Sequence, residues 1–300
     1  MSKSKSLIFF GNERLSSGFV PDGAPTLEAL IDAGYDVKAV VANYEAGTSR
    51  KARELEIEAV ARKHNIPVLL PDRPKDIIEE LKAFGAEIGV LVAYGRIIPQ
   101  SIIDIFPRGI LNIHPSLLPR YRGSIPIEQA ILDGATQTGV SVMGLVKEMD
   151  AGPIYAQQTV QLSGTETKQE LTQKLLTIGG QLVLDVLPSA LDGSAKPKQQ
   201  DESQATFTSL INKTDGQMDL SKPAEKLERE VRAYAVWPKS RIELLGHQVV
   251  VTKAHVAQSN EDGALVVAAN PGYLEIQELT APSGKKMTGA DFLRGYAKKS

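Results

Sequence analysis

Three hundred residues exceed what one typical domain core needs and suffice for two, on a scale of roughly 100–200 residues per domain. A hydrophobic fraction of 42% and a charged fraction of 23% exclude a broadly disordered chain, and the absence of cysteine excludes a disulfide framework, a thiolate metal cluster and a cysteine nucleophile. With 36 acidic against 34 basic side chains, the net charge of −2 does not draw the whole molecule towards nucleic acid, so any RNA contact has to come from local patches.

Leu7 to Phe10 is an apolar run that stops at Gly11, short of the ~7–15 residues of a signal-peptide core, and nothing approaches the length of a membrane span. A cytoplasmic protein without a membrane partner is expected. The same run reads as a buried strand ending in a glycine turn. Pro25 to Ala33 follows as a helix closed by Gly34, then Val37 to Ala42 as a β-branched strand. Arg50 to His64 reads as a charged helix whose Arg50, Lys51 and Arg53 touch phosphates or simply form a solvated face. Ile66 to Leu70 is a strand and Lys75 to Phe84 a helix. Ile88 to Ala93 is continuously apolar, the mark of a parallel strand covered on both faces, and it runs into Tyr94, Gly95 and Arg96.

Ile110 to His114 is the next strand, Pro126 to Leu132 a helix with proline near its start, and Gly139 to Val146 and Ile154 to Gln161 are two further strands. From Thr167 to Leu191, Leu171, Leu175, Ile178, Leu182 and Val186 keep helical spacing. The alternation predicts an α/β domain over residues 1–192 with a doubly wound, mostly parallel sheet. Residues 193–206 turn to Gly, Ser, Lys, Gln, Pro and acid and read as a linker. Residues 207–300 open with a helix from Pro223 to Ala235, then give short strands at Arg241 to Val256, Ala264 to Ala268 and Tyr273 to Leu279, which predicts a small β-barrel of oligonucleotide-binding type. Trp237 reads as a core residue.

In an open parallel sheet, ligands bind beyond the carboxyl ends of the strands, which is where Asn112 and His114 fall. Two apart on one strand, they share a face. Asp150 follows another strand, where a loop can carry its carboxylate to the imidazole. A donor, an imidazole and a carboxylate together suit a reaction that puts negative charge on oxygen while a proton leaves the attacking group, such as acyl transfer to an amine. Taken singly, each has a structural explanation: Asn112 in a turn, His114 in the core, Asp150 as an Asx-turn residue before Gly152. A competing assignment is a hydrolase built from Ser116, His114 and Asp150, although Ser116 lacks a Gly-x-Ser-x-Gly elbow. Neither a Gly-x-Gly-x-x-Gly nor a Walker-type phosphate loop follows the first strand, and His64, His114, His247 and His255 show no metal-ligand spacing, so no metal is expected.

Asn112-Ile113-His114-Pro115-Ser116-Leu117-Leu118-Pro119, Tyr121-Arg122-Gly123, Thr138-Gly139-Val140 and Asp150-Ala151-Gly152 resemble the signature of the folate-dependent formyltransferases. The resemblance implies 10-formyltetrahydrofolate as formyl donor and Asn112, His114 and Asp150 as catalytic residues. It further implies that Ser116, Leu117, Leu118 and Pro119 line the folate site, and that Val92, Ala93, Tyr94 and Gly95 help hold the pterin. Downstream, Asp219-Leu220-Ser221, Leu227-Glu228-Arg229, Arg232-Ala233-Tyr234, Trp237-Pro238 and Pro282-Ser283-Gly284-Lys285-Lys286-Met287 resemble the C-terminal, tRNA-binding domain of the branch of that family acting on methionyl-tRNA. That branch implies initiator methionyl-tRNA as partner and a monomer. Amino-sugar formyltransferases, which can carry a related C-terminal domain, are the nearest alternative acceptor class; an RNA-binding module on an inactive formyltransferase fold is another. The chain departs from the tRNA branch at residues 11–18, where a Gly-Thr-Pro-type turn is usual, and at Tyr44 to Arg53, where a Pro- and Gly-rich basic insertion is usual.

Overall fold

The computed structural model describes residues 5–16, 18–43, 55–259 and 263–297. The basic stretch Arg50, Lys51 and Arg53, and the departure at Tyr44 to Arg53, lie outside the described residues. The chain forms two compact units, the first made of Met1–Pro126, Gln137–Gln161 and Thr172–Thr208, the second of Ile127–Thr136, Leu162–Leu171 and Ser209–Ser300.

The first unit is built on a seven-stranded sheet of β1 (Ser6–Gly11), β2 (Asp36–Val41), β3 (Val68–Leu69), β4 (Ile88–Val92), β5 (Ile110–His114), β6 (Gln137–Gly144) and β7 (Ile154–Gln161), in the order β3-β2-β1-β4-β5-β6-β7. The first five run parallel and the last two pairings are antiparallel. Strands β1, β4 and β5 are buried at every position, as their unbroken apolar runs require of strands covered on both faces. The order reverses direction between β1 and β4, a switch point of the kind that opens a crevice at the strand ends.

Helices α1 (Pro25–Asp32), α2 (Glu56–Lys63), α3 (Ile78–Phe84) and α4 (Gln100–Ile103) follow successive strands, and α5 (Pro126–Leu132) precedes β6. The expected helix from Lys75 splits into a 3-10 turn at Pro74–Ile77 and α3. Contrary to the expectation that nothing approaches a membrane span, the long helix α6 (Lys168–Asp192) is sufficient to cross one by length and apolar composition alone. Its Leu175, Leu176, Val183 and Leu187 are nevertheless fully buried, so it is a core helix here. Gly179 on α6 lies against β5: a Cβ there would come 2.5 Å from Ile113 Cγ2. Ile113 therefore faces α6, which leaves Asn112 and His114 on the opposite face of the strand.

The departure after β1 has a local function. Glu13, at φ 57, accepts N–H groups of Thr26 at 2.8 Å and Leu27 at 2.9 Å, capping α1, whose own N-cap Ala24 offers no side-chain acceptor. Burial raises the Glu13 carboxyl above its usual value, against the pull of those two backbone bonds. Beside it Asn12 exchanges hydrogen bonds with the Asn43 backbone, and Arg14 pairs with Glu56 at 2.9 Å. The loop thus ties β1 to the starts of α1 and α2.

The second unit contains α7 (Ala224–Ala233), β8 (Ser240–Leu244), β9 (His247–Ala257), β10 (Val266–Ala268), β11 (Tyr273–Thr280), β12 (Lys286–Thr288) and α8 (Gly289–Tyr296). Its strands pair antiparallel in the order β10-β11-β9-β8, with β12 sharing the outer edge of β11 with β10. Register shifts at Ile276 to Leu279 bend β11, which coils the sheet into the half-barrel expected of an oligonucleotide-binding type fold. Leu227 and Val231 of α7, Phe292 of α8 and Leu274, Ile276 and Leu279 of β11 share one core, whereas Trp237, expected in the core, is 38% exposed and lies outside it. Strand β12 and helix α8 were not read from the sequence; Thr288 accepts the Asp291 N–H at 3.1 Å and starts the helix.

Candidate active site

Strand β5 carries Asn112 and His114, 7% and 5% exposed, between Leu91 of β4 and Met143 and Ser141 of β6. The Asn112 carboxamide makes no side-chain hydrogen bond among the described residues, so its N–H groups are available to a ligand. His114 Nε2 lies 3.0 Å from the Tyr121 carbonyl oxygen. A carbonyl only accepts, so Nε2 carries the hydrogen and Nδ1 is the nitrogen left to exchange a proton. Nδ1 faces Asp150 Oδ1 at 3.7 Å, close enough for charge attraction and too long for a direct hydrogen bond.

Asp150 sits in the loop between β6 and β7 in a left-handed conformation, φ 51. The base of that loop is drawn closed by the Gly144 N–H donating to Pro153 O at 2.9 Å. The other carboxylate oxygen accepts the Gly123 N–H at 2.8 Å. The three residues singled out in the sequence are therefore brought together, one loop presenting both the carbonyl that anchors His114 and the amide that anchors Asp150.

The Ser116 to Pro119 turn is pinned from beneath. Ser141 Oγ donates to Ser116 O at 2.6 Å and accepts the Leu118 N–H at 3.1 Å, while Gln157 Nε2 donates to Leu118 O at 2.9 Å and to Ser141 Oγ at 2.8 Å. Leu117 packs on Gly139, where a Cβ would come 2.5 Å from Leu117 Cδ2. Ser116 is fully buried and its hydroxyl donates to Arg120 O at 2.6 Å, with neither His114 nitrogen among its partners. No nucleophile and base pair forms, and the serine-hydrolase alternative loses its geometry.

At the end of β4, Val92 O and Ala93 O accept the N–H groups of Glu13 and Asn12. The Tyr94 ring is 2% exposed and packs edge-on against Phe10 within an apolar cluster, so this segment offers a ligand its backbone and not an aromatic face. Gly95 follows at φ 76.

Sequence reasoning missed the layer behind the site. Residues 198–206, which read as linker, and Phe207 and Thr208, which read as the start of the C-terminal domain, pair within the first unit: Lys198 with Ile154, and Phe207 with Arg122. Arg122 N donates to Thr206 O at 2.9 Å, Thr208 N to Arg122 O at 2.8 Å, and Tyr121 N to Thr206 Oγ1 at 2.8 Å. The Arg122 guanidinium, 2% exposed, forks onto Glu202 at 2.7 and 2.8 Å and onto Gln200 Oε1. Its hydrogen bonds hold the Glu202 carboxyl below the usual carboxylate range. Beside Asp150, the loop residues Val146 and Met149 face Arg122 and Phe207 across a groove of about 550 Å³. No residue type in the 198–208 stretch signals these contacts, since most are made by main chain or amide groups. Among the described residues, no group of three or more histidines and carboxylates could hold a metal ion.

Residues 15–187 match the model of the formyl transferase family and residues 210–297 that of the formyl transferase C-terminal domain. A methionyl-tRNA formyltransferase of Chloroflexus aurantiacus is 39% identical over 285 residues, covering 90% of this chain and 92% of that protein. One from a Sulfurihydrogenibium species is 34% identical over 294 residues, covering 92% and 94%. Among solved structures, the N-formyltransferase from Helicobacter canadensis in complex with folinic acid and dTDP-3-aminofucose superposes with a TM-score of 0.69 at 16% identity, covering 95% of this chain and all of that one, a likeness of fold. Identity of this order, sustained through both halves of the sequence, places the chain in the methionyl-tRNA formyltransferase family.

Proposed function

We propose that the protein transfers the formyl group of 10-formyltetrahydrofolate to the α-amine of methionine esterified to initiator tRNA, with Asn112, His114 and Asp150 carrying the chemistry. The observation that carries the assignment is the cluster on β5 and its neighbouring loop: an uncommitted buried carboxamide, an imidazole with one nitrogen anchored, and a carboxylate aimed at the other nitrogen.

The amine attacks the formyl carbon, a carbon–nitrogen bond forms, and the carbonyl oxygen takes the negative charge. Asn112 Nδ2 donates to that oxygen. His114 Nε2–H remains on Tyr121 O, and Nδ1, when it carries a proton, donates to the oxyanion while Asp150 Oδ1, 3.7 Å away, supports that charge. Asp150 orients the ring and takes the proton lost by the amine, directly or through one water. Collapse then breaks the bond to the folate nitrogen, which leaves with the proton that Asp150 took from the amine, returned directly or through the same water. An unpaired donor at the strand end fits a group that carries a carbonyl oxygen, and the Asn112 carboxamide makes no side-chain hydrogen bond among the described residues. Ser116, Leu117, Leu118 and Pro119 border the folate; Val92, Ala93, Tyr94 and Gly95 contribute backbone to the pterin.

In this reading residues 1–192 form the transfer domain, residues 193–206 connect, and residues 207–300 bind the tRNA backbone, through exposed side chains that include Lys285 and Lys286. The protein acts as a cytoplasmic monomer. The test is a formyl-transfer assay with 10-formyltetrahydrofolate that offers methionyl-tRNA and an amino-sugar nucleotide side by side. Formylation of the tRNA amine supports the reading. Transfer to the sugar amine alone replaces it with the amino-sugar alternative, for which the Helicobacter canadensis enzyme is the structural precedent.

A further inference from the structure

Gln200 commits both ends of its side chain to the site. Nε2 donates to Asp150 O at 2.7 Å and to Gly152 O at 2.7 Å, while Oε1 accepts from Arg122 Nε at 3.1 Å and Nη2 at 2.8 Å. Asp150 occupies a left-handed conformation, φ 51, which a non-glycine residue keeps where its surroundings over-determine it. From that backbone its carboxylate reaches the Gly123 N–H on one side and faces His114 Nδ1 on the other. The Gly123 side is fixed in turn through Arg122, whose main chain pairs with Thr206 and Thr208.

We infer that Gln200 is a positioning residue for the transfer step, acting through Asp150: it fixes the backbone from which the carboxylate is aimed at His114. The inference rests on the proposed role of Asp150 in formyl transfer. It makes the stretch that reads as a linker part of the catalytic framework. A ligand-bearing loop displaced by about 1 Å can cost 100-fold in rate, so removing two hydrogen bonds to this loop is felt at the reacting atoms.

Gln200→Glu separates positioning from simple tethering. It keeps the side-chain length and an oxygen for Arg122, and removes the N–H that Asp150 and Gly152 accept. The experiment compares full-length wild type, Q200E, Asp150→Asn and the double variant with 10-formyltetrahydrofolate and methionyl-tRNA, reading kcat and both KM values separately. Expected is a fall in kcat of about 10- to 100-fold in Q200E with KM values within about twofold, and less than about a twofold further loss when Q200E is added to Asp150→Asn. Near-wild-type kcat in Q200E beside a depressed Asp150→Asn overturns the inference, as does an equal loss in both backgrounds. A wild-type rate in Asp150→Asn overturns the assignment of Asp150 itself, a distinguishable failure that takes the inference with it. Gln200→Met, neutral and of similar length, runs through the same cycle if the added charge stops Q200E from folding.

Discussion

Asn112 and His114 are fixed by a strand that is buried at every position and locked between β4 and β6, with α6 pressed against its far face at Gly179. Asp150 is fixed by the opposite kind of structure. It stands on a loop, in a left-handed conformation, held by one amide hydrogen from Gly123 and by the side chain of Gln200 from the strap at residues 198–208. The strand end is secured by apolar burial, which is distributed over many side chains and tolerates the removal of any single polar contact. The loop and strap depend on a few hydrogen bonds, each of which is specific and individually costly to remove. One side of the site is therefore rigid by packing, and the other is adjustable by polar chemistry.

The largest effects are expected on the packed side, where removal of a proposed oxyanion donor leaves its scaffold intact. Asn112→Ala and His114→Ala are each expected to lower turnover by ~10²–10³, the usual cost of losing one oxyanion donor, with little change in the urea unfolding midpoint. Gly123→Ala probes the seam between the two regions. Gly123 has φ 111, and a Cβ there would come 2.7 Å from Thr208 Oγ1, so the strap has to shift. A loss of about 1–3 kcal/mol in unfolding free energy is expected, together with a fall in kcat, because the amide that holds Asp150 moves with it.

Glu202 probes the strap alone. Its carboxyl is held below the ordinary value of 4.5 by the Arg122 guanidinium. A group lowered in the folded state contributes stability above its unfolded value and loses it as pH falls through the folded one. Hydrogen-exchange protection at the Thr206 and Thr208 amides, corrected for intrinsic rates, is expected to fall below about pH 4.5 in wild type and to lack that step in Glu202→Gln. The smallest effect belongs to the second unit. Lys285→Ala and Lys286→Ala are each expected to weaken tRNA binding modestly and to reduce the salt slope by about 0.7–0.9 for every phosphate that is no longer neutralised.

The packed region was readable from the sequence for the reason that makes it rigid. Continuous apolar runs at Leu7 to Phe10, Ile88 to Ala93 and Ile110 to His114 announce parallel strands, and polar residues at the end of such a run stand out against it. The strap was not readable, because its contacts come from backbone groups of Thr206 and Thr208 and from an amide in a Lys-Pro-Lys-Gln-Gln stretch that composition assigns to solvent. The loop after β1, read as a departure over residues 11–18, shows a third case. It stood out as a departure from the family, while its purpose, a carboxylate from Glu13 capping α1 in place of Ala24, depends on a meeting of distant residues that spacing does not encode.

The loop-borne carboxylate is proposed to serve the strand-borne imidazole during transfer. That role is tested most directly by single-turnover formylation of methionyl-tRNA by folded Asp150→Ala at saturating 10-formyltetrahydrofolate. A fall of at least ~10² relative to wild type is expected, comparable with loss of an oxyanion donor. A single-turnover rate near that of wild type would contradict it.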